Sequence, residues 1–303
     1  MVSEAALFSF RCSACGKCCN SPPRMSLPEI FRFQRIFVGC LAVYRFTGAP
    51  TADTIALRDR LMFRVPHATG RVTHVGLLVQ GYDYEGVSCP ALRDDGRCAL
   101  HEDGKPSMCE AVPLDPLVAD GSQPPTLAQR RLDAAYFAAD CIVAGTAPDF
   151  PVLTDGAGII DAAFAASLNR HRASLAEDKR QWGNGVFRIL APALFPDSAS
   201  LQRIPENGFM SLPLVPALAI IAGASDRCRA RCVEFIDAQS ARVEAIIRSA
   251  VTRGRVADRP MTRRLRGWSA SYRDLRAALV APAASAREDR DMERWLGVGA
   301  LDT

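Results

Sequence analysis

The segment FRCSACGKCC, residues 10–19, places Cys12, Cys15, Cys18 and Cys19 within eight positions. Small apolar residues would fill a core equally well without the redox liability, so the spacing points to something bound or bridged. Thiolates two residues apart can turn back onto one metal, because the gap allows a tight loop on which both sulfurs converge. Cys12, Cys15 and Cys18 form two overlapping units of this kind. In an extended backbone, neighbours such as Cys18 and Cys19 point in opposite directions. That expectation favours a polynuclear site, or two adjacent sites, over a single tetrahedral ion.

What these thiols do depends on the compartment. The N-terminus, MVSEAALFSFRC, has no basic segment, long apolar run or small-residue cleavage site. The longest apolar stretch, Leu212 to Ala224, is too short to span a bilayer and contains Pro213 and Pro216. A cytoplasmic protein with no membrane association is therefore expected. Cytosolic thiols stay reduced, and an odd total of 11 cysteines also argues against complete internal pairing, which leaves metal binding as the reading for the dense clusters. Net charge is +4 and only three of the 37 basic residues are lysines, a surplus too mild to indicate a nucleic-acid partner by itself.

More candidate ligands follow downstream in turn-rich sequence. Cys89 precedes Pro90, Cys98 follows DDGR, Cys109 follows KPSM, and Cys141 closes TLAQRRLDAAYFAADC, which reads as a helix. Loops of this composition are held by ligands rather than by a core of their own. The eight thiols Cys12, Cys15, Cys18, Cys19, Cys89, Cys98, Cys109 and Cys141 fit one cluster plus a mononuclear site, or two four-cysteine sites.

The surrounding pattern predicts an α+β chain: a loop-rich cysteine and metal module over residues 1–150, with a small β-sheet and flanking helices, then a mostly helical region over 151–303. Ser26 and Glu29 form a capping-box pattern opening a helix, with Pro28 in its first turn and Ile30, Phe33 and Phe37 facing a core. Residues 60–87 read as a hairpin or small sheet. Another helix is expected over about 158–177. Val233, Ile236, Val243, Ile247 and Ala250 fall on one helical face, as do Leu265, Trp268, Tyr272, Leu275 and Leu279 on a second. The arginines between these positions read most simply as a solvated face.

The ordered set Cys12, Cys15, Gly16, Cys18, Cys19, then Cys89, Pro90, Leu92, Gly96, Cys98, Pro106 and Cys109, resembles the CxxCxxCC cysteine-cluster family of the YkgJ type. The resemblance covers roughly the first half of the chain. Members of that family are described as zinc- or iron-chelating and often labelled iron-sulfur oxidoreductases, so the resemblance implies a metal centre on these cysteines. The chain departs from the family pattern at His101, Lys105 and Glu110, where Tyr, Arg and Arg are usual. Its plan of cluster plus helical extension is also distantly similar to the flagellin lysine methylase group, which implies methyl transfer from S-adenosylmethionine. No local motif for that cofactor is present, nor the CxxxCxxC spacing of radical enzymes.

Two readings follow. In one, an iron-sulfur cluster, favoured because adjacent thiolates suit a polynuclear centre, supports redox or group-transfer chemistry on a protein or small-molecule substrate. In the other, zinc stabilises a structural or interaction module without catalysis. His101 sits at CxxH spacing from Cys98 and reads as a packing or supporting residue rather than a ligand. Cys228 and Cys232 lie one turn apart beside three arginines, a pattern for a low-pKa redox pair, with half-buried structural thiols the simpler reading. Cys40 is expected in a core at a helix end. Phosphate-loop, dinucleotide-binding, HExxH and GxSxG motifs are absent, so any enzymatic activity rests on the cysteines.

Overall fold

The computed structural model describes residues 7–13, 16–19, 22–46, 51–66, 72–82, 84, 89–101, 104–132, 140–206, 208–281 and 288–298. Its strands are β1 (Phe8–Phe10), β2 (Arg24–Met25), β3 (Gly39–Phe46), β4 (Phe63–Pro66), β5 (Val72–Gly81), β6 (Ile142–Ala144), β7 (Val152–Asp155), β8 (Gly158–Ile159) and β9 (Met210–Pro213). The helices are α1 (Leu27–Arg32), α2 (Ala52–Leu61), α3 (Ser107–Ala111), α4 (Gln123–Leu132), α5 (Ala162–Asp178), α6 (Asn184–Leu194), α7 (Val215–Ala222), α8 (Asp226–Arg253), α9 (Arg259–Val280) and α10 (Arg290–Leu296). The fold is α+β, with two small antiparallel sheets and a helical C-terminal half.

One sheet runs β6-β1-β7-β8; in the other, β2-β5-β3-β9, β4 also pairs with β5. β3 and β5 pair along eight positions, from Gly39↔Gly81 to Phe46↔His74. β2 and β4 share the opposite edge of β5, at Val79–Gln80 and Val72–Val75 respectively. Both faces of the central pair are covered, so Leu41, Ala42, Val43 and Val75 to Val79 read as near-continuous apolar runs rather than alternating ones.

Cys40 is fully buried but belongs to β3, not to a helix end. The helix over 158–177 is corrected at its start: Gly158 and Ile159 pair with β7, and α5 begins after Asp161, whose carboxylate caps it by accepting from the Ala163 and Phe164 amides. The helix expected to end at Cys141 is α4, described only to Leu132, and Cys141 itself stands in a turn that leads into β6.

The capping box forms as its spacing predicts. Glu29 Oε2 accepts from the Ser26 amide at 2.7 Å, Ser26 Oγ accepts from the Glu29 amide at 3.4 Å, and Ile30, Phe33 and Phe37 are buried. Phe31 stacks on Phe235 of α8 with ring centroids 4.3 Å apart. The buried Gln239 of α8 joins the helical half to the sheet: its Oε1 accepts from the Gly39 amide at 2.8 Å, and its Nε2 donates to the carbonyls of Gln34 and Phe37 at 2.9 and 3.1 Å. These three bonds satisfy backbone groups where β3 begins, an interior location in which leaving them unpaired would be costly. The main core accordingly draws on residues from Met25 to Leu296.

A smaller core lies beneath the β1 sheet, where Phe8, Phe10, Ile142 and Leu153 meet Ala111 of α3, Leu127 of α4 and Leu168 of α5. Cys89 belongs to the main core, with Cys19 and Cys98 packed against it, while Cys141 belongs to the smaller one.

Candidate metal centre

Lys17–Cys19 is a single 3-10 turn, closed by the Cys19 amide donating to the Gly16 carbonyl at 2.9 Å. The backbone is therefore not extended, and the sulfurs of Cys18 and Cys19 do not diverge: they lie 4.0 Å apart. This corrects the expectation drawn from adjacency. Two thiolates on one tetrahedral zinc with bonds near 2.3 Å stand about 3.8 Å apart, so this pair is spaced to share an ion.

Gly16 has φ of +72°, and a Cβ there would stand 3.3 Å from both methyls of Leu92. The turn is thus wedged against the second cysteine segment. Cys89 donates its amide to the Cys19 carbonyl at 2.8 Å. From there the chain reverses through Arg93–Arg97, with Gly96 at φ +79° and a Leu92↔Cys98 bridge, which brings Cys98 back beside Leu92. The Asp-Gly turn read from the sequence is the device that returns Cys98 to Cys89.

The third segment is α3. Its first amide, on Ser107, donates to Glu29 Oε1 at 2.7 Å, while the other oxygen of the same carboxylate serves the capping box. One side chain thereby docks the Cys109 helix against α1. On its other side, Ser107 Oγ lies 2.9 Å from Nδ1 of His171, a fully buried residue of α5.

Burial and neighbouring thiols raise Cys18, Cys89 and Cys109. Burial, with Cys89, Cys98 and Cys18 as secondary causes, pushes the Cys109 thiol up; the thiol contact with Cys19 and then burial push Cys18 up; burial, with Cys98 and Cys18 among lesser causes, raises Cys89. Lys105 opposes the rise at Cys18 and Cys109 and is the cation placed near both. Such thiols stay protonated unless a positive charge joins them, which a coordinated metal supplies.

Cys12 and Cys141 form a separate neighbourhood. The Arg11 amide donates to the Cys141 carbonyl at 3.1 Å, extending the Phe10↔Ile142 register, so Cys12 and Cys141 both stand at the same end of the β1–β6 ladder. Cys12 is exposed, whereas Cys141 is buried in the smaller core beside Ala111, two residues from Cys109. Cys15 lies outside the described residues. Among the described residues no three cysteine, histidine, aspartate or glutamate side chains stand close enough to hold one ion as placed. The donor type and the Cys18–Cys19 separation suit a pair of metal ligands.

The remaining candidates fall outside this locus. Cys228 and Cys232 are fully buried in the main core, and burial raises both thiols, Cys232 to about 12. The arginines beside them in sequence do not activate them, and they are packing residues more deeply buried than expected. His171, which carried no pattern in the sequence, proves to be the histidine nearest the Cys109 helix through Ser107. Only the long-range placement of α5 reveals it.

An open groove of about 700 Å³ runs along α8, lined by Arg35, Tyr84, Glu234, Ala241 and Arg242 among others. Arg242 spans it, donating to the Arg35 carbonyl at 3.1 Å and to the Tyr84 hydroxyl at 3.3 Å. Among the described residues no helix is long and apolar enough to cross a membrane. No family model, curated protein or solved structure matches the chain.

Proposed function

We propose that this protein holds a thiolate-bound metal centre, iron-sulfur ahead of zinc. Cys18, Cys19, Cys89, Cys98 and Cys109 are its nearest ligands, with Cys12, Cys15 and Cys141 serving the same or an adjoining centre. The observation that carries this reading is the convergence of three sequence-distant segments: the Gly16 turn packs on Leu92, the Cys89 amide bonds the Cys19 carbonyl, the Cys18 and Cys19 sulfurs lie 4.0 Å apart, and Cys109 carries a thiol raised by burial and then by Cys89, Cys98 and Cys18. The eight candidate cysteines outnumber the four that one tetrahedral ion uses, which favours a cluster. A cluster would supply electrons or an electrophilic iron for redox or group-transfer chemistry. The groove bordered by Tyr84 and Arg242 is of the size that admits a small molecule or a side chain of a protein substrate.

The second reading, a zinc-stabilised interaction module, is favoured by the 4.0 Å separation of Cys18 and Cys19. Anaerobic purification followed by metal and acid-labile sulfide analysis, beside a visible absorption spectrum, separates the two. Iron with sulfide and a broad charge-transfer band is the expected result, with Cys18→Ser and Cys109→Ser losing the colour while retaining the far-ultraviolet dichroism of the helices. Zinc without sulfide, and unfolding by chelator, would establish the second reading. A metal-free protein with an unchanged fold would overturn both.

A further inference from the structure

Between Glu244 and Asp274, which bound the stretch, there are eight arginines and one acid, Asp258. Of these, Arg259, Arg263, Arg266 and Arg273 lie on α9 and are exposed. None of the four has an ion-pair or hydrogen-bond partner among the described residues, in contrast to Arg253, which pairs with Asp258, and Arg276, which pairs with Asp237. At 3.6 residues per turn the four fall within an arc of about 80° on one side of the helix and extend over about 21 Å.

The opposite side of α9 is spent on the core, through Leu265, Trp268 and Tyr272. No large apolar residue lies within the arginine arc, where Ala270 falls; at its borders, each about 20° away, stand the exposed Asp274 and the exposed Val280, a single valine at the far end of the helix. A surface that is cationic, unpaired and lacking an apolar side chain to insert is a poor membrane anchor, since a lipid interface needs buried apolar area as well as charge. It suits a polyphosphate backbone, which needs only guanidinium forks and close approach. The arc carries no aromatic side chain on which an unpaired base could stack, Trp268 and Tyr272 being buried, which favours a duplex over a single strand.

We propose that the exposed stripe Arg259, Arg263, Arg266 and Arg273 is a docking surface for the phosphate backbone of duplex DNA. Contact is to phosphates alone, so binding is independent of base sequence. It rests on none of the metal ligands.

The test is fluorescence anisotropy of a labelled 20-base-pair duplex titrated with the full chain at several salt concentrations. Binding in the micromolar range at low salt is expected, with log K falling by about 3 to 4 per log unit of salt, as four neutralised phosphates require. Joint replacement R259A/R263A/R266A/R273A should weaken binding at least tenfold and flatten the salt dependence, while R259K/R263K/R266K/R273K keeps most of it. Unchanged helical dichroism and melting in both variants confirm that the surface alone was altered; if the quadruple alanine variant unfolds, the pairs R259A/R263A and R266A/R273A replace it. No anisotropy change, equal binding by folded alanine variants, or binding to phosphatidylserine vesicles without binding to duplex would each overturn the proposal.

Discussion

Glu29 Oε1 accepts the Ser107 amide at 2.7 Å, so one carboxylate joins the N-terminus of α1 to the first turn of the helix that carries Cys109. Both oxygens are used, the second by Ser26. Glu29→Ala removes the reciprocal cap and the inter-segment bond together, and a loss of about 1–2 kcal/mol in stability is expected from the cap. Because the lost bond also positions Cys109, metal stoichiometry should fall more than the melting temperature alone would suggest. Parallel metal analysis and thermal melting of the wild type, Glu29→Ala and Glu29→Gln check this, with the glutamine variant retaining an acceptor and most of the metal.

Gly81 stands where the chain leaving the cysteine turn crosses β5. Its amide donates to the Pro23 carbonyl at 3.2 Å, and a Cβ would meet Pro22 Cβ at 2.6 Å and Phe37 Cδ1 at 2.9 Å. Neither neighbour is the flexible end of a side chain. Gly81→Ala should cost about 1–3 kcal/mol through overpacking, measured by urea denaturation. A stability within 0.5 kcal/mol of wild type, taking that as about the noise of surface substitutions, would show that the crossing can relax.

His171 is held neutral, burial first and then the nearby Arg24 guanidinium bringing its pKa down to about 3. In the unfolded chain it titrates near the ordinary imidazole value of 6.5. The unfolded state therefore binds a proton that the folded state refuses, and stability drops as pH falls from about 6.5 toward about 3. Urea midpoints measured between pH 7 and 4 should decline less steeply for His171→Gln than for the wild type, even if the variant begins from a lower stability.

Asp178 behaves oppositely. Burial raises its carboxyl well above the ordinary carboxylate range, although both oxygens lie within 3.3 Å of the Leu27 amide. A carboxyl whose folded pKa is raised contributes its full stability below the unfolded value of 3.8, and that contribution is lost as pH rises toward the folded value. Asp178→Asn keeps an acceptor for Leu27 and has no charge to bury. Its stability relative to wild type should improve steadily from pH 4 to pH 8; a constant difference across that range would contradict the assignment.

Local order was readable without coordinates wherever the signal repeats over a few residues. The Ser26/Glu29 box, the buried set Ile30, Phe33 and Phe37, the β character of Phe63–Pro66 and Val72–Gly81, and the apolar faces of α8 and α9 all follow from caps and periods that act within one or two turns of chain. The turns at Gly16 and Gly96, which shape the Cys18–Cys19 and Cys89–Cys98 segments, are local in the same way.

Other features depended on contacts between residues far apart. Cys18 and Cys19 face together because Gly16 is pinned against Leu92, some 76 positions away. Cys40 became a strand residue because β5 and β9 flank it, and Cys141 left the helix for a turn because β1 claims the residues that follow it. Strand partners, and the burial of His171 beside Ser107, are selected by which apolar faces cover one another across the whole chain. That choice is a property of the packed cores, and no window of sequence contains both sides of it.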